Sequence, residues 1–180
     1  MDKPDDLTLS RNVLETVAIA SEFCLLAEDS GKVNKDDMAR SLGSFIPLLY
    51  LRGTLLPDIV PEYPEANERF VAEEQWENIF TLFREKFGQD DRFRYLDSPD
   101  TSASETEIGS ISECIADIYQ DLKDFVLLYK RNQIAARENA IHSVRLLFKE
   151  HWGLLLLRLM PVFHEINYNQ KTPETEHYSL

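Results

Sequence analysis

Apolar residues recur at three- and four-residue spacing through most of the chain, which is the pattern of helices that bury one face. The helices predicted in this way cover residues 10–29, 34–56, 68–87, 110–130 and a last stretch that starts after residue 132 and continues to about residue 166. Gly31, Pro57 and Gly88 mark three helix ends, because glycine and proline disfavour continued helix. Strand-forming residues show no sustained two-residue alternation. The expected fold class is therefore all-α, an antiparallel bundle of about five helices.

Two segments between these helices are predicted to be irregular. The stretch PDIVPEYPE (57–65) holds three prolines and is expected to be stiff and extended. Residues 89–107 include the polar run SPDTSASETE, which is typical of a mobile surface loop. Pro161 is expected to kink or break the last helix. We expect one helical domain over residues 1–170 and a flexible C-terminal tail over residues 171–180.

The net charge of the chain limits the classes of partner that it is expected to bind. It carries 32 acidic and 19 basic residues, for a net charge of −13. Such a field repels polyanions, so neither nucleic acid nor an anionic membrane surface is an expected partner. The longest apolar run near the C-terminus, WGLLLLRLMPVF, is too short to cross a bilayer and contains Arg158.

The two cysteines and the N-terminal residues indicate the cellular compartment in which the protein is expected. Cys24 and Cys114 both fall inside helical patterns, so buried free thiols in a reducing environment are expected. The start of the chain, MDKPDDLTLSRN, contains no apolar core of the signal-peptide type. The expected location is therefore the cytoplasm.

Arg52 is the most unusual residue, because it interrupts the otherwise apolar stretch FIPLLYLRGTLLP (45–57). At about 100° per residue, Arg52 falls near the centre of the apolar arc of its helix, whereas Pro47 falls on the opposite side. The last helix repeats this anomaly, since His151, Arg158 and Glu165 follow one another at seven-residue intervals on its apolar arc. Charged residues on apolar arcs need an explanation.

Two explanations for this polar seam are open. The first is an internal salt-bridge network in which Glu28 is one candidate partner, since a buried guanidinium is costly unless it is paired. The second is a binding site for a small anionic ligand, because a guanidinium matches phosphate or carboxylate oxygens with two parallel hydrogen bonds. The residues of this candidate ligand site are Arg52, His151, Arg158 and Glu165.

The helix over residues 110–130 carries four carboxylates at spacings of four, four and three. They are Glu113, Asp117, Asp121 and Asp124. Carboxylates on one helix face can hold Mg²⁺ for phosphate chemistry, so these residues are a candidate metal site of a phosphoester hydrolase. Because they lie opposite the apolar side of the same helix, a solvated acidic face is the favoured interpretation.

Motifs that would define an activity are absent. The chain contains no HExxH, P-loop, GxGxxG or GxSxG pattern, so we expect no catalytic residue and no cofactor. The favoured hypothesis is a non-enzymatic binding or interaction module. An exposed apolar patch, from Phe93, Tyr95 or the C-terminal helix, would then bind a protein partner or a second copy in a homodimer.

Three stretches of the sequence resemble a known family. They are LLYLRGTLLP (48–57), IADIYQDLKDFVLLYKRN (115–132) and AIHSVRLLFKEHWGLLLL (140–157), with YQDLKDF and HWG as the most specific elements. They are similar to bacterial helical proteins of unknown function, the DUF5063 domain. The resemblance implies an all-α fold and no particular activity. It also implies that Asp117, Tyr119, Asp121, Trp152 and Gly153 are family features.

Overall fold

A computed structural model describes residues 6–96 and 106–169 and shows an all-α fold built around one central helix. In these ranges the α-helices are α1 (Arg11–Glu28), α2 (Lys35–Thr54), α3 (Glu73–Phe87), α4 (Ile111–Tyr129), α5 (Ile134–Glu150) and α6 (Trp152–Tyr168). Helix α4 packs against α1, α3, α5 and α6. It is buried around most of its circumference, including two of its aspartates, so it occupies the core.

The helices confirm the predicted all-α class, and the ends of α1, α2 and α4 lie within two residues of the predicted ones. Asn34 caps α2 by accepting a hydrogen bond from the Asp37 amide, as expected for asparagine before a helix. Pro47 lies exposed within α2. It has no N–H for the Gly43 carbonyl, and on the wet side of a helix water can take that place. None of the described helices is long and apolar enough to cross a membrane. The predicted tail, residues 171–180, lies outside the described residues.

A short hairpin occupies part of the segment that was predicted to be a mobile loop. Strands β1 (Arg92–Leu96) and β2 (Thr106–Ser110) pair in an antiparallel sheet. The loop prediction is therefore wrong for these strands, while residues 97–105 lie outside the described residues. The second strand, TEIGS, is polar and exposed for most of its length, so it lacks the alternation that indicates a strand.

A buried carboxylate fixes the base of this hairpin. Asp91 is 1% exposed and accepts hydrogen bonds from Ser110 Oγ and from the Ser112 amide, both at 2.8 Å. The Ser112 amide belongs to the first turn of α4, where backbone donors lack helical partners. Asp91 therefore joins the start of β1 to the start of α4.

The last predicted helix is two helices that meet at His151, and α6 continues through Pro161, where a kink or a break was predicted, so there is no break there. The His151 backbone leaves the helical region at φ −139° and ψ −88°, whereas Pro161 lies exposed within α6. Trp152 Nε1 donates a hydrogen bond to the Val144 carbonyl at 2.9 Å, which ties the start of α6 back onto α5. A Cβ at Gly153 would overlap the Phe148 carbonyl, so only glycine fits there.

The proline-rich connector between α2 and α3 lies across α5 and α4, and we call its residues 57–71 the strap. On α5, Glu138 accepts from the Glu62 amide at 3.1 Å, and Asn139 donates to the Tyr63 carbonyl at 2.7 Å. One turn further along, His142 Nδ1 lies 2.8 Å from the Ile59 carbonyl oxygen. The polar side of α5 therefore holds the strap in place.

Candidate binding site

The four acidic residues of α4 do not form a solvated face, and that interpretation is wrong for two of them. Asp121 and Asp124 are only 4% and 9% exposed. Asp124 Oδ1 accepts hydrogen bonds from two strap amides, those of Phe70 at 2.7 Å and Val71 at 2.9 Å. The prediction failed because the strap, far away in sequence, covers this side of α4.

The other two acidic residues have different surroundings. Asp117 accepts a hydrogen bond from Trp76 Nε1 at 2.8 Å, so it joins α4 to α3. Glu113 is exposed at the start of the helix. Within residues 6–96 and 106–169, no three His, Cys, Asp or Glu side chains are grouped so that they could hold a metal ion.

His151 bridges two of these carboxylates. Its Nδ1 lies 2.6 Å from Asp121 Oδ2, and its Nε2 lies 3.6 Å from Asp117 Oδ2. The carboxylates of Asp117 and Asp121 raise the pKa of His151 to about 10. At neutral pH His151 is therefore an imidazolium, and we call these three residues the His151 cluster.

The other predicted seam residues contact different partners, so the structure does not join them into one site. Arg52 forms an ion pair with Glu15 of α1, not with the predicted partner Glu28. Arg158 lies over the Tyr95 ring at 4.3 Å from its centroid. The remaining residue, Glu165, is exposed and accepts a hydrogen bond from Asn169 at 2.7 Å.

These contacts test the helix-wheel geometry. The wheel correctly placed Arg52 towards the protein interior, since 18% of its side chain is exposed. It erred at His151, which lies outside both α5 and α6, so the three residues at seven-residue intervals do not share one helix. Sequence spacing alone gave no sign of the break.

Glu28 belongs to a second polar network on another side of α4. It accepts hydrogen bonds from Tyr119 Oη at 2.8 Å and from Lys123 Nζ at 2.5 Å. Gln75 Nε2 donates to the same Tyr119 oxygen at 2.5 Å. Burial, followed by the hydrogen bond to Glu28, raises the pKa of Tyr119. Tyr119 therefore ties α4 to α1 and α3.

A cleft of about 220 Å³ lies between α4, α5 and the strap, and we call it the α4–α5 cleft. Its floor consists of buried apolar side chains, which are Phe125, Leu128, Ala140 and Val144. Its rim consists of exposed residues, namely Asn67, Glu68, Arg69, Leu146 and Glu150. The cleft thus combines an apolar interior with a charged mouth, as small-ligand sites do.

Asp121 and Asp124 form part of the same cleft wall. Each has one oxygen engaged, Asp121 Oδ2 with His151 and Asp124 Oδ1 with the strap amides. Among the described residues, the hydrogen bonds of these two side chains go to Asp121 Oδ2 and Asp124 Oδ1 alone. Two fixed carboxylates therefore retain acceptor capacity beside an apolar floor.

Sequence reasoning named Asp121 and Asp124 as candidate metal ligands but missed the cleft. Its other walls come from the strap and α5, whose distance from α4 in sequence conceals their proximity. The apolar patch predicted around Phe93 and Tyr95 is partly buried, since Arg158 covers Tyr95 and Phe93 packs against Gly109. Helix α6 does expose apolar side chains, with Leu154 and Leu157 each 44% exposed.

The fold and the site define a small helical bundle in which a connector forms one wall of an acidic cleft. The chain belongs to the DUF5063 family, described as a domain of unknown function, whose match covers residues 8–169. A solved structure with the same fold is protein BF1032 from Bacteroides fragilis. It is 26% identical, covers 92% of this chain and 98% of its own, and has a TM-score of 0.80. No relative was found among curated proteins.

Proposed function

We propose that this protein is a non-enzymatic binding module that holds a small ligand in the α4–α5 cleft. The observation that carries the proposal is the pair of carboxylates on the cleft wall. Their positions are fixed by His151 and by the strap amides before any ligand arrives. A site fixed in advance loses less freedom on binding, which favours affinity.

The ionisation of the titratable groups supports binding over catalysis. With its pKa raised to about 10, His151 holds its proton at neutral pH and is unsuited to act as a general base. Burial raises the pKa of the Cys24 and Cys114 thiols to about 12, which disfavours the nucleophilic thiolate. Both thiols are free, which also supports a reducing compartment such as the cytoplasm.

The alternative anion site at Arg52, His151, Arg158 and Glu165 has less support. Arg52 already faces the Glu15 carboxylate, and His151 lies between two aspartates. Each of these cations is therefore neutralised by a neighbouring charge. Arg158 stacks on Tyr95, which leaves no group of cations converging on one point among the described residues.

A thermal-shift screen with cationic, anionic and neutral small molecules tests the binding function. Leu146→Trp should occlude the rim of the cleft, because Leu146 is 40% exposed and lines it. Leu154→Trp is the matched control, since Leu154 is 44% exposed and lies on α6 outside the cleft.

We expect at least one compound class to raise the Tm of the wild type and of Leu154→Trp, but not of Leu146→Trp. Stabilisation that survives in Leu146→Trp would place the ligand elsewhere. The absence of any stabilising compound would also contradict the proposed function.

A further inference from the structure

We infer that a second copy of this chain docks on the outer face of α2 and α6, so that two copies form a dimer related by a two-fold axis. This inference is independent of the α4–α5 cleft, because no residue that lines the cleft belongs to either helix. It is carried by three features of the face: a ridge of exposed leucines, the absence of carboxylates and a groove beside the ridge.

Helices α2 and α6 lie side by side in opposite directions. Near the start of α2, a Cβ at Gly43 would overlap Asn167, and near its end a Cβ at Gly53 would overlap the Phe148 ring. Asn167 also donates a hydrogen bond to the Ala39 carbonyl at 3.0 Å. This close approach near both ends fixes the two helices relative to each other, so their outer sides form a single face.

Exposed leucines form a ridge on this face. On α2, two leucines follow the exposed Pro47 at intervals of four residues, and on α6 two leucines precede the exposed Pro161 by four and seven residues. This spacing places them on the outer sides of their helices. The four residues are 39–50% exposed, and we call them the leucine ridge: Leu51, Leu55, Leu154 and Leu157. Contiguous exposed apolar surface marks interaction sites on soluble proteins.

The exposed surface of the face is close to what a stable dimer needs. Tyr168, at the end of α6, is 76% exposed and packs its ring against His164, with the centroids 5.1 Å apart. Tyrosine is enriched at protein interfaces. Together with the leucine ridge and the two exposed prolines, it offers roughly 600 Å², against the roughly 800 Å² per partner of a standard interface. The walls of the adjoining groove supply further area.

The face lacks carboxylates in a strongly acidic chain. Residues 38–57 and 151–164 contain none of the 32 acidic residues, although the net charge is −13. Arg40 is paired with Asp37, and Arg52 is paired with Glu15. Two copies would repel each other through their acidic surfaces, and a basic partner would be attracted to those surfaces instead. The face therefore suits a partner whose contacting surface is itself uncharged, as that of a second copy is.

The face is also complementary to itself. A groove of about 330 Å³ lies between Pro47 of α2 and Met160 and Pro161 of α6. The leucine ridge lies next to it, towards the other end of the helix pair. A two-fold axis between groove and ridge places the ridge of each copy in the groove of the other, because such a contact repeats every residue pair. A different protein would have to provide both shapes.

Sedimentation equilibrium of the full chain over a range of concentrations tests the inference. We expect the mean mass to rise from that of one chain, 20.9 kDa, to that of two chains and then to stay constant. A mass of one chain at every concentration up to about 1 mM would overturn the inference and leave the face to a different protein. Growth beyond two copies would also contradict it, because a two-fold contact closes on itself.

Two variants test the position of the interface. Leu51→Glu and Leu157→Glu each place a carboxylate on the leucine ridge, and each should weaken dimerisation at least tenfold, because the charge would be buried against apolar side chains. The matched control is Ile134→Glu, which adds the same charge at a 60% exposed position at the start of α5. It should change dimerisation less than twofold.

The three substituted positions are exposed, so the variants should retain the fold, and far-UV circular dichroism checks their helical content. Dimers that persist in both ridge variants would place the interface elsewhere and overturn the inference. Equal weakening by Ile134→Glu would also overturn it, since dimerisation would then depend on net charge rather than on this face.

Discussion

His151 Nδ1 lies 2.6 Å from Asp121 Oδ2, across the point where α5 ends and α6 begins. The same aspartate lines the α4–α5 cleft. A single charged hydrogen bond therefore joins the break in the chain to the wall of the proposed binding site. The charge on His151 therefore strengthens the contact that holds Asp121 on the cleft wall.

The raised pKa of His151 makes folding stability depend on pH. Its pKa rises from an ordinary value of 6.5 to about 10 in the folded protein, so the folded state binds the proton more tightly. The stabilisation is fully present below pH 6.5 and is lost progressively as the pH rises towards 10. Urea unfolding should show a decline from pH 6.5 to pH 8.5 in the wild type and a smaller decline in His151→Gln. Equal slopes would contradict the His151 cluster.

Asp124 should matter to folding as a hydrogen-bond acceptor for the strap. Asp124→Ala leaves the partly buried amides of Phe70 and Val71 without their acceptor, and should lower the free energy of unfolding by about 1–2 kcal/mol. Asp124→Asn keeps an acceptor and should cost less than about 1 kcal/mol. Urea unfolding of both variants checks this, and equal losses would show that the charge rather than the acceptor holds the strap.

The ion pair of Arg52 should contribute less to the free energy of unfolding than a fully buried ion pair would. The side chains of Arg52 and Glu15 are 18% and 35% exposed, so water can hydrate whichever partner remains. Arg52→Ala should therefore lower the free energy of unfolding by about 1–2 kcal/mol, below the 3–5 kcal/mol or so of a stranded buried charge. A double-mutant cycle with Glu15→Gln isolates the pair, and a coupling energy near zero would mean that Arg52 acts only through packing.

Two buried serines should respond in opposite directions to removal of the hydroxyl. Ser30 Oγ is buried without a hydrogen-bond partner in the described part of the chain, so Ser30→Ala should be neutral or stabilising by up to about 1 kcal/mol. Ser112 is equally buried, and its hydroxyl lies 2.9 Å from Ser110 Oγ. Ser112→Ala should destabilise by about 1 kcal/mol. Thermal unfolding of both variants measures the difference, and destabilisation by Ser30→Ala would reveal a partner for its hydroxyl.

The local features of the fold follow well from the sequence, whereas the long-range ones do not. Asn34 predicts the start of α2, and Gly88 predicts the end of α3, because capping depends on neighbouring residues. The break at His151 depends instead on the Trp152 ring reaching back to Val144 and on the aspartates of α4. Helical periodicity continues through this point, so it gave no warning.

The candidate site likewise combines a local feature that the sequence predicts with long-range contacts that it does not. The spacing of Asp117, Asp121 and Asp124 drew attention to one face of α4. Their surroundings come from Trp76, His151 and the strap, and no short-range pattern encodes those contacts. A solvated acidic face was therefore a reasonable interpretation of the sequence, and packing overturned it.

The most direct measurement of the central claim uses methyl signals from the cleft floor. ¹H–¹³C NMR spectra of the protein titrated with each compound that raises the Tm in the thermal-shift screen would follow Val144 and Leu128 on the floor, with Leu154 and Leu157 of α6 as reporters outside the cleft. The proposed site predicts saturable shifts of the floor methyls and none at the α6 reporters. Shifts at α6 alone, or none in either set, would contradict it.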